Sequence, residues 1–166
     1  MNQLYELSRQ FPDEWIKKAP KGKFGNYIPH SVITQRLLEV CGPYTWEVVE
    51  LIRQEKDGKV VGCFGKLTVE IDQKIVTITS IGDVEHDQGS DGINAKHAES
   101  DAFKRCAMKT GLGLHLWAGD EYYLDKKLND DKSKRMMGKE RHTKNMRRSE
   151  ERRVGKECRS RWSPYH

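Results

Sequence analysis

The chain has 166 residues, 33% of them charged, with 30 lysines and arginines against 25 aspartates and glutamates. It has no apolar run long enough to span a membrane, and its first residues lack the basic-then-apolar pattern of a secretion signal, so a soluble cytoplasmic protein is expected. The charge is uneven: residues 1–130 carry 17 basic and 20 acidic side chains, residues 131–166 carry 13 and 5, so any nucleic-acid surface on the first stretch must come from placing a few cations, not from bulk charge.

Leu4, Leu7 and Phe11 recur at helical spacing and predict a short helix ending before Pro12. The loop from Lys17 to Pro29 is rich in lysine, glycine and proline with aromatics between them. Within it, Lys21 and Lys23 beside Phe24 suit DNA, although an ordinary solvated loop has the same composition. His30 and Ser31 open a helix over Val32, Ile33, Leu37 and Leu38, with Ser31 as N-cap and Gly42-Pro43 as the stop.

Three strand-like runs follow. Thr45 to Arg53 contains Trp46, Val48 and Val49. From Val60 to Ile71 the pattern alternates, with Val61, Cys63, Leu67, Val69 and Ile71 on one side and Lys66, Thr68 and Glu70 on the other. Lys74 to Ile81 is β-branched almost throughout, and Asp57-Gly58 and Asp72-Gln73 mark tight turns, so the three runs predict an antiparallel meander.

Such a sheet needs cover on one face, and a helix from about Gly92 to Thr110 supplies it. On that helix Ala95, Ala102, Phe103, Cys106 and Ala107 share one arc, and Asp101, Arg105 and Lys109 line the other. Gly111 stands where a helix closes with a left-handed residue. With a short element near Leu124, the prediction is an α+β fold: a β-β-β-α core, a three-stranded antiparallel meander packed on a long helix, with a preceding helix.

Cys41, Cys63, Cys106 and Cys158 form no C-x-x-C pair and suit reduced thiols better than disulfides or zinc. Asp83, Glu85, His86, Asp87, Asp91, His97 and Asp101 form an acidic-histidine cluster along the sequence, open to a metal through His97 and Asp101 or to a solvated loop and helix start. With Asp120, Glu121 and Asp125 they are the sole support for a two-metal nuclease. Gly111-Leu112-Gly113 follows a helix instead of opening one, and no phosphate-binding G-x-x-x-x-G-K-[ST] occurs, so no nucleotide cofactor is expected.

From Asp131 the apolar periodicity stops, and residues 131–147 predict a disordered charged linker. Residues 148–166 resemble translated adaptor or vector sequence, a foreign read-through tail; the alternative is a basic arm gripping phosphates, with Trp162 and Tyr165 for stacking. The native C-terminus is then expected to lie beyond about residue 147 and to be missing here.

The order Asn26-Tyr27-Ile28 with Val32-Ile33, then Leu38, Gly42 and Trp46, then three strands, then Ala98, Ala102-Phe103-Lys104-Arg105 and Gly111, resembles the annealing domain of the Rad-fifty-two recombination proteins and the related Sak-type phage recombinases. Leu112-Gly113 and Asp120-x-x-Tyr123-Leu124 fall where that family closes its domain, and the similarity covers roughly residues 3–128.

The resemblance implies a ring- or filament-forming homo-oligomer that binds single-stranded DNA and anneals complementary strands without ATP, in homologous recombination and double-strand break repair. It implies no enzyme, no catalytic acid or nucleophile and no cofactor or metal. It points to a phage or mobile element, with a recombinase or single-strand-binding protein as further partner and no membrane. Holding each strand extended by its phosphates lowers both the ordering cost of pairing and the repulsion between two polyanions.

Carried over by position, Lys104 and Arg105 match adjacent cations on the family's groove-lining helix. Tyr27 matches an aromatic near the strand, or is a half-buried loop aromatic. Lys17 falls where the family uses an arginine, and Lys96 matches a cation further up the helix. Where the family has a third basic residue after Arg105 this chain has Met108, with Lys109 next along as the substitute. An adaptor that uses the fold only to oligomerise is the remaining alternative, since the meander has two open edges.

Overall fold

The computed structural model describes residues 2–18, 25–84, 86–87 and 89–160, with side chains described as far as Arg153. The chain forms two compact units, Met1–Asp125 and Lys126–His166. The first begins with helix α1 (Gln3–Ser8) and a 3-10 turn (Asp13–Trp15), followed by two short paired strands, β1 (Lys17–Lys18) and β2 (Asn26–Tyr27). Helix α2 (His30–Cys41) leads into the strands β3 (Thr45–Arg53), β4 (Val60–Ile71) and β5 (Lys74–Asp83), then into helix α3 (Asp91–Lys109) and the short α4 (His115–Ala118).

The expected meander is present, antiparallel in the order β3-β4-β5. Its β4–β5 turn is the two-residue Asp72-Gln73, both left-handed at φ 49 and 67, the twist-matched form for a tight hairpin. Gln3 pins this turn to α1: its amide nitrogen donates to the Asp72 carboxylate at 3.0 Å, and its side chain accepts from the Asp72 amide. β3 carries a bulge at Val49, which has no partner between the Val48–Gly65 and Glu50–Phe64 pairs.

Helix α3 lies on the sheet at very close range because glycines line the seam. A Cβ on Gly82 would stand 2.0 Å from the Ala98 carbonyl oxygen and 2.4 Å from the Ala102 nitrogen. One on Gly65 would stand 2.2 Å from the Trp46 ring. Alanines on the helix and glycines on the strands thus let backbone meet backbone, with Cys63, Ala98 and Ala102 fully buried in the contact. Toward the C-terminal half of α3 the core widens around Phe103. His30 stacks on it at 4.5 Å between centroids, and Trp46 meets it edge-on at 5.1 Å. Leu7, Phe11, Ile33, Leu37, Leu67 and Leu112 complete this layer.

Several boundaries differ from the sequence expectation. Ser31 lies inside α2; the capping position is Pro29, whose fixed φ sets the helix entry. Ser90 caps α3, its hydroxyl accepting from the Ile93 amide, so the helix starts at Asp91. On β4 it is Val60 that is buried while Val61 is half-buried, because the ladder shifts between Ile52 and Arg53. Helix α5 (Leu124–Ser160) runs through residues 131–147, where disorder is expected from sequence. Lysine, arginine, glutamate and methionine favour helix without any apolar stripe, so the missing periodicity predicts exposure rather than the backbone state. Every described residue from Ser133 to Arg153 is exposed.

Candidate nucleic-acid interface

The C-terminal half of α3 presents its cations beside two aromatic rings. Lys104 points away from the sheet, and its ammonium lies 5.7 Å from the centre of the Tyr27 ring. One position on, the Arg105 guanidinium lies 5.5 Å from the Trp117 ring of α4. Asn26–Tyr27 is held in place by pairing with β1, in which Lys17 stands opposite Tyr27. Trp117 is held by the short turn that follows Gly111 and Gly113, both left-handed at φ 99 and 73. Between the two rings opens a cleft of about 300 Å³, lined by Tyr27, Lys104 and Trp117 over an apolar floor.

Arg105 is fastened as well as stacked. Its Nε donates to Asp101 at 2.7 Å, and Asp83 lies 3.6 Å from its terminal nitrogen. The Asp101 carboxylate holds the guanidinium above its ordinary pKa. Lys109 sits one turn further along the same flank and donates to the Thr79 carbonyl at 3.0 Å while staying exposed. The structure therefore sets Lys17 opposite Tyr27 and Lys104 beside the Tyr27 ring, with Arg105 and Lys109 one turn apart on the adjoining flank of α3. Lys96 is elsewhere: nine residues before Arg105 it faces about 180° away, in a shallow groove with Val48, Leu51 and Glu99 beside β3. Lys21 and Lys23 lie outside the described residues.

A sequence model of the Rad52/22 family of double-strand break repair proteins matches residues 2–137, the stretch that builds the sheet, α3 and the cleft. The chain belongs to this Rad52/22 family. It is also 28% identical over 118 residues to DNA repair RAD52-like protein 1, mitochondrial, of Arabidopsis thaliana; the match covers 70% of this chain and 66% of that protein, just under two thirds of its length.

In this Rad52/22 chain the acidic-histidine stretch serves the fold. Asp87 is paired with Lys59 and accepts from the Gly89 amide and the Asn94 side chain, which together hold its carboxyl down at about 2. Asp91 accepts from Arg53 at 2.7 Å and from the Val60 amide at 3.2 Å. Asp83 and Asp101 flank Arg105. Among the described residues, no three of these side chains gather as metal ligands would. Burial pushes the Cys41, Cys63 and Cys106 thiols up, away from reactive thiolate. Among the described residues no helix is long and apolar enough to cross a membrane.

Trp117, and the pairing of Asp83 with Arg105, were missed by sequence reasoning. An exposed tryptophan shortly after a basic helix was the available signal for the first. Nothing in the sequence announces the second, since Asp83 reaches Arg105 only through the β5–α3 contact.

Proposed function

We propose that this Rad52/22-family chain binds single-stranded DNA and anneals complementary strands without ATP, in recombination and double-strand break repair. The observation that carries the reading is the pair of adjacent cations, Lys104 and Arg105, each set against an exposed aromatic ring. Cations alternating with π faces suit a polymer of phosphates and bases, and a grip of this kind does not depend on sequence. Lys17, opposite Tyr27, and Lys109, one turn beyond Arg105, add further cations near the pair, and no catalytic residue or cofactor is required.

The working form in this reading is a homo-oligomer, a ring or a filament. Edge strands β3 and β5 have no further strand beside them among the described residues, and Ile75 and Ile81 of β5 stand 77% and 50% exposed on the sheet. The annealing unit is residues 1–130, with the remainder dispensable and 148–166 foreign to the protein. The source in this reading is a phage or mobile element acting in the cytoplasm, with a recombinase or single-strand-binding protein as further partner. The paired state of Asp83, Asp87, Asp91 and Asp101 weighs against a two-metal nuclease.

The test mixes complementary labelled oligonucleotides with the protein, without ATP or metal, and follows duplex formation. Acceleration over the spontaneous rate, retained after truncation at Asp131, is expected. Tight binding with no acceleration would leave only a single-strand binder, magnesium-dependent cutting would identify a nuclease, and a monomer by light scattering would remove the oligomeric part.

A further inference from the structure

We infer that the cleft between Tyr27 and Trp117 takes one nucleobase of the bound strand per subunit, with Trp117 as its stacking platform. This rests on the single-strand reading above and adds to it a site for a base, where Lys104 and Arg105 serve phosphates. The cleft holds about 300 Å³, at the small end of ligand pockets, which suits one ring system and not a segment of chain. Its floor is apolar: Ile28, Ile33 and Leu112 are each buried and offer no competing hydrogen bond.

Its walls are the unusual part. Trp117 is 56% exposed and Tyr27 37% exposed, and unlike the other exposed rings of this unit, Trp15 and Tyr123, these two line one cleft. Large rings left in water beside an apolar floor are unfavourable unless something flat covers them. The cations at the rim decide what covers them. Lys104 lines the cleft against the Tyr27 wall, and Arg105, outside the lining, lies 5.5 Å from the Trp117 ring, so the occupant is a flat apolar ring tied to an anion, and a nucleotide within a strand has that form. The small volume restricts capture to one base, leaving its neighbours outside the cleft. The captured base pins the strand's register on the subunit.

The experiment compares oligothymidylate with a strand of equal length whose bases are removed, on wild type, Trp117→Ala and Trp117→Phe. Trp117→Ala is expected to weaken binding to the intact strand about 5- to 150-fold, the usual range for one stacked base. On the abasic strand Trp117→Ala and wild type are expected to bind alike, and Trp117→Phe to recover most of the loss. Permanganate should spare one thymine per subunit in wild type and none in Trp117→Ala. An equal loss on both strands would mean that Trp117 merely supports Arg105, and would overturn the base site while leaving single-strand binding intact. Equal wild-type affinity for the two strands would overturn it without any variant. If wild type binds neither strand, the single-strand reading beneath it fails as well.

Discussion

The two halves of α3 carry opposite charges and spend them differently. In the first half, Ser90 caps the helix, Asp91 holds Arg53, and the buried Asn94 amide donates to the Val60 carbonyl and to Asp87, both at 3.1 Å. Glu99 accepts from the Trp46 indole at 3.0 Å. In the second half Lys104 and Arg105 rest against aromatic faces and Lys109 reaches one carbonyl. Acids at the start and cations at the end also follow the helix dipole. The contrast teaches where function resides. Charge that is bonded inside the protein fixes the helix on the sheet, whereas charge resting on a π face can be offered to a polyanion. Arg105 belongs to both groups, since Asp101 and Asp83 hold it while Trp117 covers it.

The largest effect is expected where the halves meet. Gly82→Ala puts a methyl carbon 2.0 Å from the Ala98 carbonyl and 2.4 Å from the Ala102 nitrogen, both backbone atoms in a helix that cannot give locally. The helix must lift off β5, at a cost of about 3 kcal/mol or more, and thermal melting should show a fall of roughly 10 °C or more. Because both halves hang from this seam, DNA binding should fall with it. An unchanged melting midpoint would mean the helix does not sit on the sheet as described.

Substitutions in the second half should instead separate binding from stability. Lys104→Ala is expected to lower single-strand affinity on all sequences alike and to reduce the log-log salt slope by about 0.7, one phosphate's share. Arg105→Ala should weaken binding further, because it also leaves Asp101 and Asp83 uncompensated beside the strand, and it should cost some thermal stability through the lost ion pair. Equal affinity and salt slope in both variants would reduce these cations to a solvated face and erase the contrast.

A smaller effect concerns pH. His30 and His115 are both held below the ordinary histidine value by burial, and among the described residues His30 Nε2 and His115 Nδ1 have no hydrogen-bond partner. Their folded-state pKa values are depressed, so the unfolded chain binds more protons, and stability is full above about pH 6.5 and declines below it. Urea midpoints at pH 7 and pH 5 should differ in that direction. His30→Phe, which keeps the stack on Phe103, should flatten the difference; an unaltered slope would place the titration elsewhere.

Much of this was legible in the sequence because it follows short periods. Alternation over Val60–Ile71 and the turn pairs at Asp57 and Asp72 gave the meander, and the 3.6-residue period gave the face of α3 that carries Phe103 and Cys106. Two-residue strands have no period, so the β1–β2 ladder that sets Lys17 opposite Tyr27 was invisible. The pairing of Trp117 with Arg105 and of Asp83 with Arg105 depends on tertiary contact across 12 and 22 positions, which no local pattern encodes. Lys96 stands about 180° round α3 from Arg105, in the groove beside β3, since two cations on one helix need not share a face.

The smallest expected effect returns to the first half of α3. The segment after β5 is strapped to the helix start by Asp87, which holds Lys59, the Gly89 amide and Asn94. Those partners pull its carboxyl from 3.8 down to about 2. A carboxylate with a depressed folded-state pKa stabilises the fold above its unfolded value, and that contribution is lost as pH falls from 3.8 through about 2. Asp87→Asn keeps the shape but discards the charge. It should therefore melt slightly below wild type at pH 6, with the gap narrowing as pH drops below about 4. The pair is solvent-exposed, so the gap should also shrink in high salt. A gap constant with pH would mean that Asp87 acts by its hydrogen bonds alone. The first half of α3 would then be fastened by geometry and not by charge, and the difference between the two halves would be one of burial.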